Sequence, residues 1–209
     1  MNDRFRFGAN IARNAASTDK KVVADKAVKR QLKNDDLHRV IARELDDLCT
    51  PPKPGEQWRI ITQKRFNAYA LVLRTLMERD IEDLWIAIYR INVTTAKSLI
   101  NLIEQGMIKR ANFIISSFFV NNKTQDEAAV ALLRFAERNE CCRVVYVSNH
   151  AKIACVHAGD DWFVFEGSGN LSDNARIEQY IYENSREMYD FHTEWMDDVI
   201  KDFGYQPSQ

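Results

Sequence analysis

Asn149-His150-Ala151-Lys152 is followed by Glu166-Gly167-Ser168-Gly169-Asn170 and then by Glu178, so that the span from His150 to Glu178 is 29 residues. These residue types can attack a phosphodiester without a metal. Histidine serves as a nucleophile, while lysine and asparagine hold phosphate oxygens. In an extended segment side chains alternate, which puts His150 and Lys152 on one side. Gly167 and Gly169 permit a tight, unusual backbone, from which Ser168 and Asn170 project a hydroxyl and an amide toward one pocket. Exposed backbone N–H groups in Leu171-Ser172-Asp173-Asn174 favour an anion there as well. Glu178, Tyr180 and Tyr182 share a face of the next strand. Glu178 is placed to accept an imidazole proton, fixing its tautomer and raising its basicity.

The pattern around the motif alternates between strand and helix. Asp83–Ile91, Asn112–Phe119 and Arg143–Ser148 read as strands, with helices over Gln63–Arg79, Thr94–Glu104 and Asp126–Arg138. Ala151–His157 and Trp162–Glu166 read as a hairpin across Ala158-Gly159-Asp160-Asp161. Ile177–Glu183 follows as a strand and Ser185–Lys201 as an acidic helix. Strands separated by helices predict an α/β domain, a mixed and mainly parallel sheet flanked by helices. Trp85, Tyr89, Phe113, Phe118 and Phe119 are read as core.

The segment resembles the phospholipase D superfamily, whose signature is His-x-Lys-x4-Asp followed by Gly-Ser-x-Asn. His150, Lys152, Gly167, Ser168 and Asn170 match it, and Glu178 falls where members place a glutamate. Two departures stand out. His157 occupies the aspartate position, and the gap to the Gly-Ser pair is three residues longer than usual. Asp160 and Asp161 fill the enlarged turn and are both candidates to stand in for the aspartate. Position 157 is an odd number of residues from His150, so His157 is expected to face away and to act as support behind the site.

The resemblance implies a two-step reaction in which one histidine forms a phosphohistidine and a second protonates the leaving oxygen, then activates water. Two His-x-Lys motifs are needed and the sequence has one. The resemblance implies the solution of single-motif bacterial nucleases of the superfamily, a homodimer whose two subunits build one shared site. The match extends from the motif to a phospholipase D-like phosphodiesterase domain over residues 57–203.

Composition sets further bounds. The chain has 209 residues, 45% hydrophobic and 28% charged, with a net charge of −1, which excludes a polycation. No apolar run approaches the ~20 residues of a membrane span. The first residues lack the apolar core of a signal peptide, so a cytoplasmic protein without membrane insertion is expected. Cys49, Cys141, Cys142 and Cys155 form no Cys-x-x-Cys pair, and reduced, buried, structural thiols are expected. Cys155 and His157 share a strand face but supply too few ligands for a metal site; no metal or other cofactor is expected. His38 reads as solvent-facing and His192 as a packing histidine among Tyr189, Phe191 and Trp195.

Residues 1–50 differ in character and are read as a basic helical N-terminal extension. Nine Lys/Arg stand against five acids between Met1 and Asp36. A solvated helix, a dimer arm and a nucleic-acid contact are all compatible with this excess. Asp35-Asp36 then reads as a helix start, followed by Leu37, Val40, Ile41, Leu45 and Leu48 at helical spacing, and Thr50–Gly55 as a linker.

The expected function is a metal-independent phosphodiesterase acting on nucleic acid, DNA or RNA. The alternatives are an inactive nucleic-acid-binding or assembly protein that keeps the fold, and a lipid or phosphate-ester hydrolase.

Overall fold

The computed structural model describes residues 45–63, 67–119, 126–172 and 176–203. Among the described residues, seven strands and four α-helices follow one another as β1 (Gln57–Gln63), α1 (Tyr69–Leu76), β2 (Asp83–Ile88), α2 (Val93–Glu104), β3 (Ala111–Ser116), α3 (Asp126–Ala136), β4 (Cys142–Val147), β5 (Lys152–Ala158), β6 (Asp161–Gly167), β7 (Ile177–Asn184) and α4 (Arg186–Phe203). The strands form one sheet in the order β1-β7-β6-β5-β2-β3-β4.

The mixed α/β sheet flanked by helices is the architecture expected from the sequence. The parallel share is smaller than "mainly": β2/β3 and β3/β4 are parallel, and the other four pairs are antiparallel. The difference has two sources. The β5–β6 hairpin and β7 bring antiparallel pairs, and β1 was not foreseen. Gln57–Gln63 pairs with β7 along its length, from Gln57 opposite Glu183 to Gln63 opposite Ile177. The expected helix over Gln63–Arg79 is therefore shortened to α1, and the Asn67 side chain accepts the Tyr69 N–H at 2.9 Å at its start.

Burial follows position in the sheet. All six residues of β3 are buried and five of the six in β2, because both faces of the centre are covered. In β7 buried Glu178, Tyr180, Tyr182 and Asn184 alternate with more exposed neighbours, so one face is covered. One core layer gathers Leu71, Ile86, Leu99, Phe113, Phe165 and Tyr182. The layer on the opposite face gathers Trp85, Ile114, Cys155, Val164 and residues of α4, Tyr189 and Met196 among them. The Arg143 guanidinium, lying 5.2 Å over the Trp85 ring, fastens β4 to α4 through Asp197 at 2.8 Å.

The four cysteines are free. Burial pushes the Cys142 thiol up to about 12, which leaves it protonated and inert. Leu45 and Cys49, read from the sequence as part of the N-terminal extension, are buried in the main core. The basic stretch 1–36, His38 and most of the helix expected before Thr50 lie outside the described residues. Among the described residues, no helix is long and apolar enough to cross a membrane.

Candidate active site

The site forms where β2 and β4 end and β5 begins. Asn149 fixes this crossing: its Nδ2 donates to the Ile88 carbonyl at 3.1 Å and to the Ile114 carbonyl at 3.2 Å, while its Oδ1 accepts the Ala151 N–H at 2.9 Å. One side chain thereby closes the carboxyl ends of β2 and β3 and aims the following residues. His150 emerges beyond them, exposed. Carboxyl ends of strands in open α/β sheets are where such folds place ligands.

Lys152, the first residue of β5, bends back to His150. Its ammonium donates to the His150 carbonyl at 2.8 Å and lies 3.4 Å from the ring Nδ1. It also lies 5.4 Å from the centre of the Tyr89 ring, which meets the His150 ring at 4.8 Å. Partial burial lowers the Lys152 pKa, and the charge of Glu178 works against that shift.

Ser168 and Glu178 are joined directly, the Ser168 hydroxyl donating to Glu178 Oε2. The Ser168 hydroxyl oxygen accepts the Gln179 N–H at 3.1 Å, and the Ser168 N–H donates to the Gln179 carbonyl at 3.0 Å. Glu178 itself is buried.

Asn170 is placed by a second attachment. Its Oδ1 accepts the Arg90 N–H at 3.1 Å. Leu171 continues the join, donating to the Arg90 carbonyl at 3.0 Å and accepting from the Asn92 N–H at 3.0 Å. Asn92 in turn caps α2, its side chain accepting the Thr95 N–H at 2.7 Å, a type of cap worth ~1 kcal/mol. The Gly-Ser-x-Asn loop is therefore held to β7 on one side and to the start of α2 on the other. His150 and Lys152 form one contacting pair, Ser168 and Glu178 a second, and Asn170 is anchored at Arg90.

Gly167 and Gly169 owe their identity to close approach. The sequence reading assigned them an unusual backbone, but the glycines at positive φ are Gly55, Gly106 and Gly159. A Cβ at Gly167 would strike the Tyr180 ring and the Gln179 carbonyl, and a Cβ at Gly169 would land on the Tyr180 hydroxyl. The buried Tyr180 ring fills the space under the loop.

His157 lies elsewhere. It is five residues along β5 from Lys152, ~17 Å at strand rise, and on the opposite face. Its ring stacks on Trp162 at 3.7 Å, its Nε2 donates to the Gly159 carbonyl at 3.0 Å, and Nδ1 is 3.5 Å from Glu82. Asp160 and Asp161 sit at the same distant hairpin turn. Asp161 pairs with Arg79 at 3.0 Å and accepts from Asn184 at 2.8 Å. His192 is buried under α4, where Nε2 meets Glu166 Oε1 and Nδ1 accepts the Trp195 N–H at 3.2 Å. Among the described residues no group of three or more His, Cys, Asp or Glu is arranged to hold a metal ion.

Two neighbours of the site were misread from sequence. Tyr89 is half-buried and Phe118 is 62% exposed, whereas Trp85 and Phe113 are core as expected. Tyr89 and Arg90 directly follow β2 at its carboxyl end, where open α/β sheets place ligands, a topological signal that composition does not carry.

No protein-family model matches the chain, and no curated protein matches it. Solved structures do. The phospholipase D family member Nuc from Salmonella typhimurium is similar at 16% identity, over 74% of this chain and 100% of Nuc, with a TM-score of 0.52. NucT from Helicobacter pylori is similar at 18% identity, over 72% of this chain and 100% of NucT, with a TM-score of 0.50. Polyphosphate kinase from Porphyromonas gingivalis is similar at 12% identity and a TM-score of 0.52, over 74% of this chain and 27% of the kinase. At these identities the likeness is one of fold, and the fold is phospholipase D-like.

Proposed function

We propose that this chain, with its phospholipase D-like fold, is a metal-independent phosphodiesterase that cleaves nucleic acid through a phosphohistidine at a site shared by two subunits. The observation that supports this reading is the Lys152 ammonium set 3.4 Å from the exposed His150 ring. A histidine and a cation share one exposed point at the carboxyl end of the parallel strands.

In the first step a nitrogen of His150 attacks phosphorus, a P–N bond forms and the P–O bond to the leaving group breaks. A second imidazole gives its proton to the departing oxygen. That imidazole then takes a proton from water, which attacks phosphorus, breaks the P–N bond and releases a phosphomonoester. Lys152 neutralises the phosphoryl group on His150, and the Asn170 amide donates to its oxygens. Glu178, fixed by Ser168, balances the charge that develops on the imidazole. The domain of residues 57–203 supplies all of these groups.

Among the described residues, the other two histidines, His157 and His192, both face the α4 side of the sheet, away from this point. The second imidazole is therefore assigned to the partner subunit's His150, across a two-fold axis that brings both motifs together. Light scattering tests the arrangement. A homodimer at micromolar concentration is expected, and a stable monomer with full activity excludes the shared site.

A further inference from the structure

Three rings stand in series at the mouth of the site. His150 meets Tyr89 at 4.8 Å with a 56° tilt, and Tyr89 in turn stacks with Phe118 at 6.2 Å and 21°. Both separations fall within the range of favourable aromatic pairs. The series runs from the proposed nucleophile to Phe118, which is 62% exposed.

Resting on the phosphodiesterase reading, we propose that Phe118, held by Tyr89, is a stacking platform for a base of single-stranded nucleic acid, next to the phosphate that His150 attacks. The chemistry of the two ends specifies the ligand. At one end are a histidine, a lysine and an asparagine suited to a phosphodiester; at the other is an apolar π-face. A nucleotide presents both an anionic phosphate and a flat base. A phosphate ester of an aliphatic alcohol presents only the first.

Tyr89 orders the Phe118 ring before the ligand arrives, which reduces the entropy lost on binding. A paired base in a duplex already has both faces covered by its neighbours and must be extruded before it can stack elsewhere. The platform therefore favours single strands, in which every base offers a face regardless of sequence. Exposed Arg90, next to Tyr89 in the chain, adds positive charge on the same rim.

The test uses the full chain and a short single-stranded DNA carrying one 2-aminopurine, whose fluorescence reports stacking. Binding is read on mixing and cleavage is followed in the same samples. Wild type is expected to quench the probe. Phe118→Ala is expected to lose the quench and to raise Kd about tenfold, the equivalent of ~1.4 kcal/mol and within the range for one base on one ring. Phe118→Trp should keep both. A strand in which the probe is replaced by an abasic residue should bind wild type and Phe118→Ala equally, and the blunt duplex should bind wild type more weakly.

Equal quench and Kd in wild type and Phe118→Ala overturns the platform, as does wild-type binding of the duplex with single-strand affinity. Loss of binding to phosphatidylcholine vesicles in Phe118→Ala, with DNA binding unchanged, overturns it in favour of a lipid. The exposed position makes Phe118→Ala a mild change for folding, checked by its unfolding midpoint. Phe118-dependent quench without cleavage leaves the platform standing and removes the catalytic reading. Cleavage that ignores Phe118 does the reverse.

Discussion

The Ser168 hydroxyl donates a hydrogen bond to the Glu178 carboxylate, and the Ser168 oxygen accepts the Gln179 N–H at 3.1 Å. The serine of the Gly-Ser-x-Asn element is thus committed to β7. It holds a carboxylate in place and ties the loop down, and in the proposed reaction it is Asn170 that meets the phosphate. Ser168→Ala is expected to lower kcat about tenfold with a small change in KM, because a buried carboxylate short of one hydrogen bond costs ~1–3 kcal/mol. A large rise in KM at unchanged kcat would instead make Ser168 a direct substrate ligand.

The Tyr180 ring makes a second, steric prediction. Gly169→Ala is expected to displace the Gly-Ser-x-Asn loop or the ring beneath it, with a stability loss of ~1–3 kcal/mol and a fall in activity. Gly169→Ala combined with Tyr180→Phe, which removes the oxygen that a Cβ would strike, should recover part of both. Thermal unfolding and turnover of the two variants check this.

Support and catalysis should separate at the two motif-region histidines. His157→Ala removes the Trp162 stack and is expected to lower stability by ~1–2 kcal/mol while leaving most activity. His157→Asp also loses the stack and adds a second acid beside Glu82, so it should be no better tolerated. His150→Ala should abolish turnover with little change in the unfolding midpoint, since its ring is exposed. Equal loss of turnover in a folded His157→Ala protein would contradict this division.

The buried pair under α4 gives a pH prediction. His192 accepts from Trp195 at Nδ1, so Nε2 carries the proton toward Glu166. That close contact with His192 holds the Glu166 carboxyl below its ordinary value of 4.5, against the effect of burial. A carboxyl with a depressed folded pKa adds stability above its unfolded pKa and loses it as pH falls through the folded value. Wild type should therefore exceed Glu166→Gln in unfolding midpoint at ~pH 7, and the gap should close as pH drops below the 4.5 of an ordinary glutamate. A gap that stays constant through that range contradicts the pairing.

Much of this was legible in the sequence because the signals are local. Alternation in Arg143–Ser148 and Trp162–Glu166 located β4 and β6 within two residues, and two turn residues, Gly159-Asp160, join β5 to β6 as the hairpin required. The odd spacing between His150 and His157 foretold their separation. Strand β1 was missed because its identity depends on pairing with Ile177–Asn184, well over 100 residues later in the chain. The reason for Gly167 and Gly169 was hidden for the same kind of cause, since Tyr180 comes over them only once β6 and β7 pair. The ring series from His150 to Phe118 joins residues from three segments that only the sheet order brings together.

The most direct measurement is turnover of a single-stranded oligonucleotide by wild type and by His150→Ala, each dimer-checked and assayed in excess EDTA. In the proposed reaction the histidine is the nucleophile, and the lysine and amide supply the charge stabilisation. Wild type is expected to keep its full rate in EDTA, His150→Ala to show none, and Lys152→Ala to retain a small residue. A wild-type activity that requires added magnesium and persists in His150→Ala would contradict the assignment of this site.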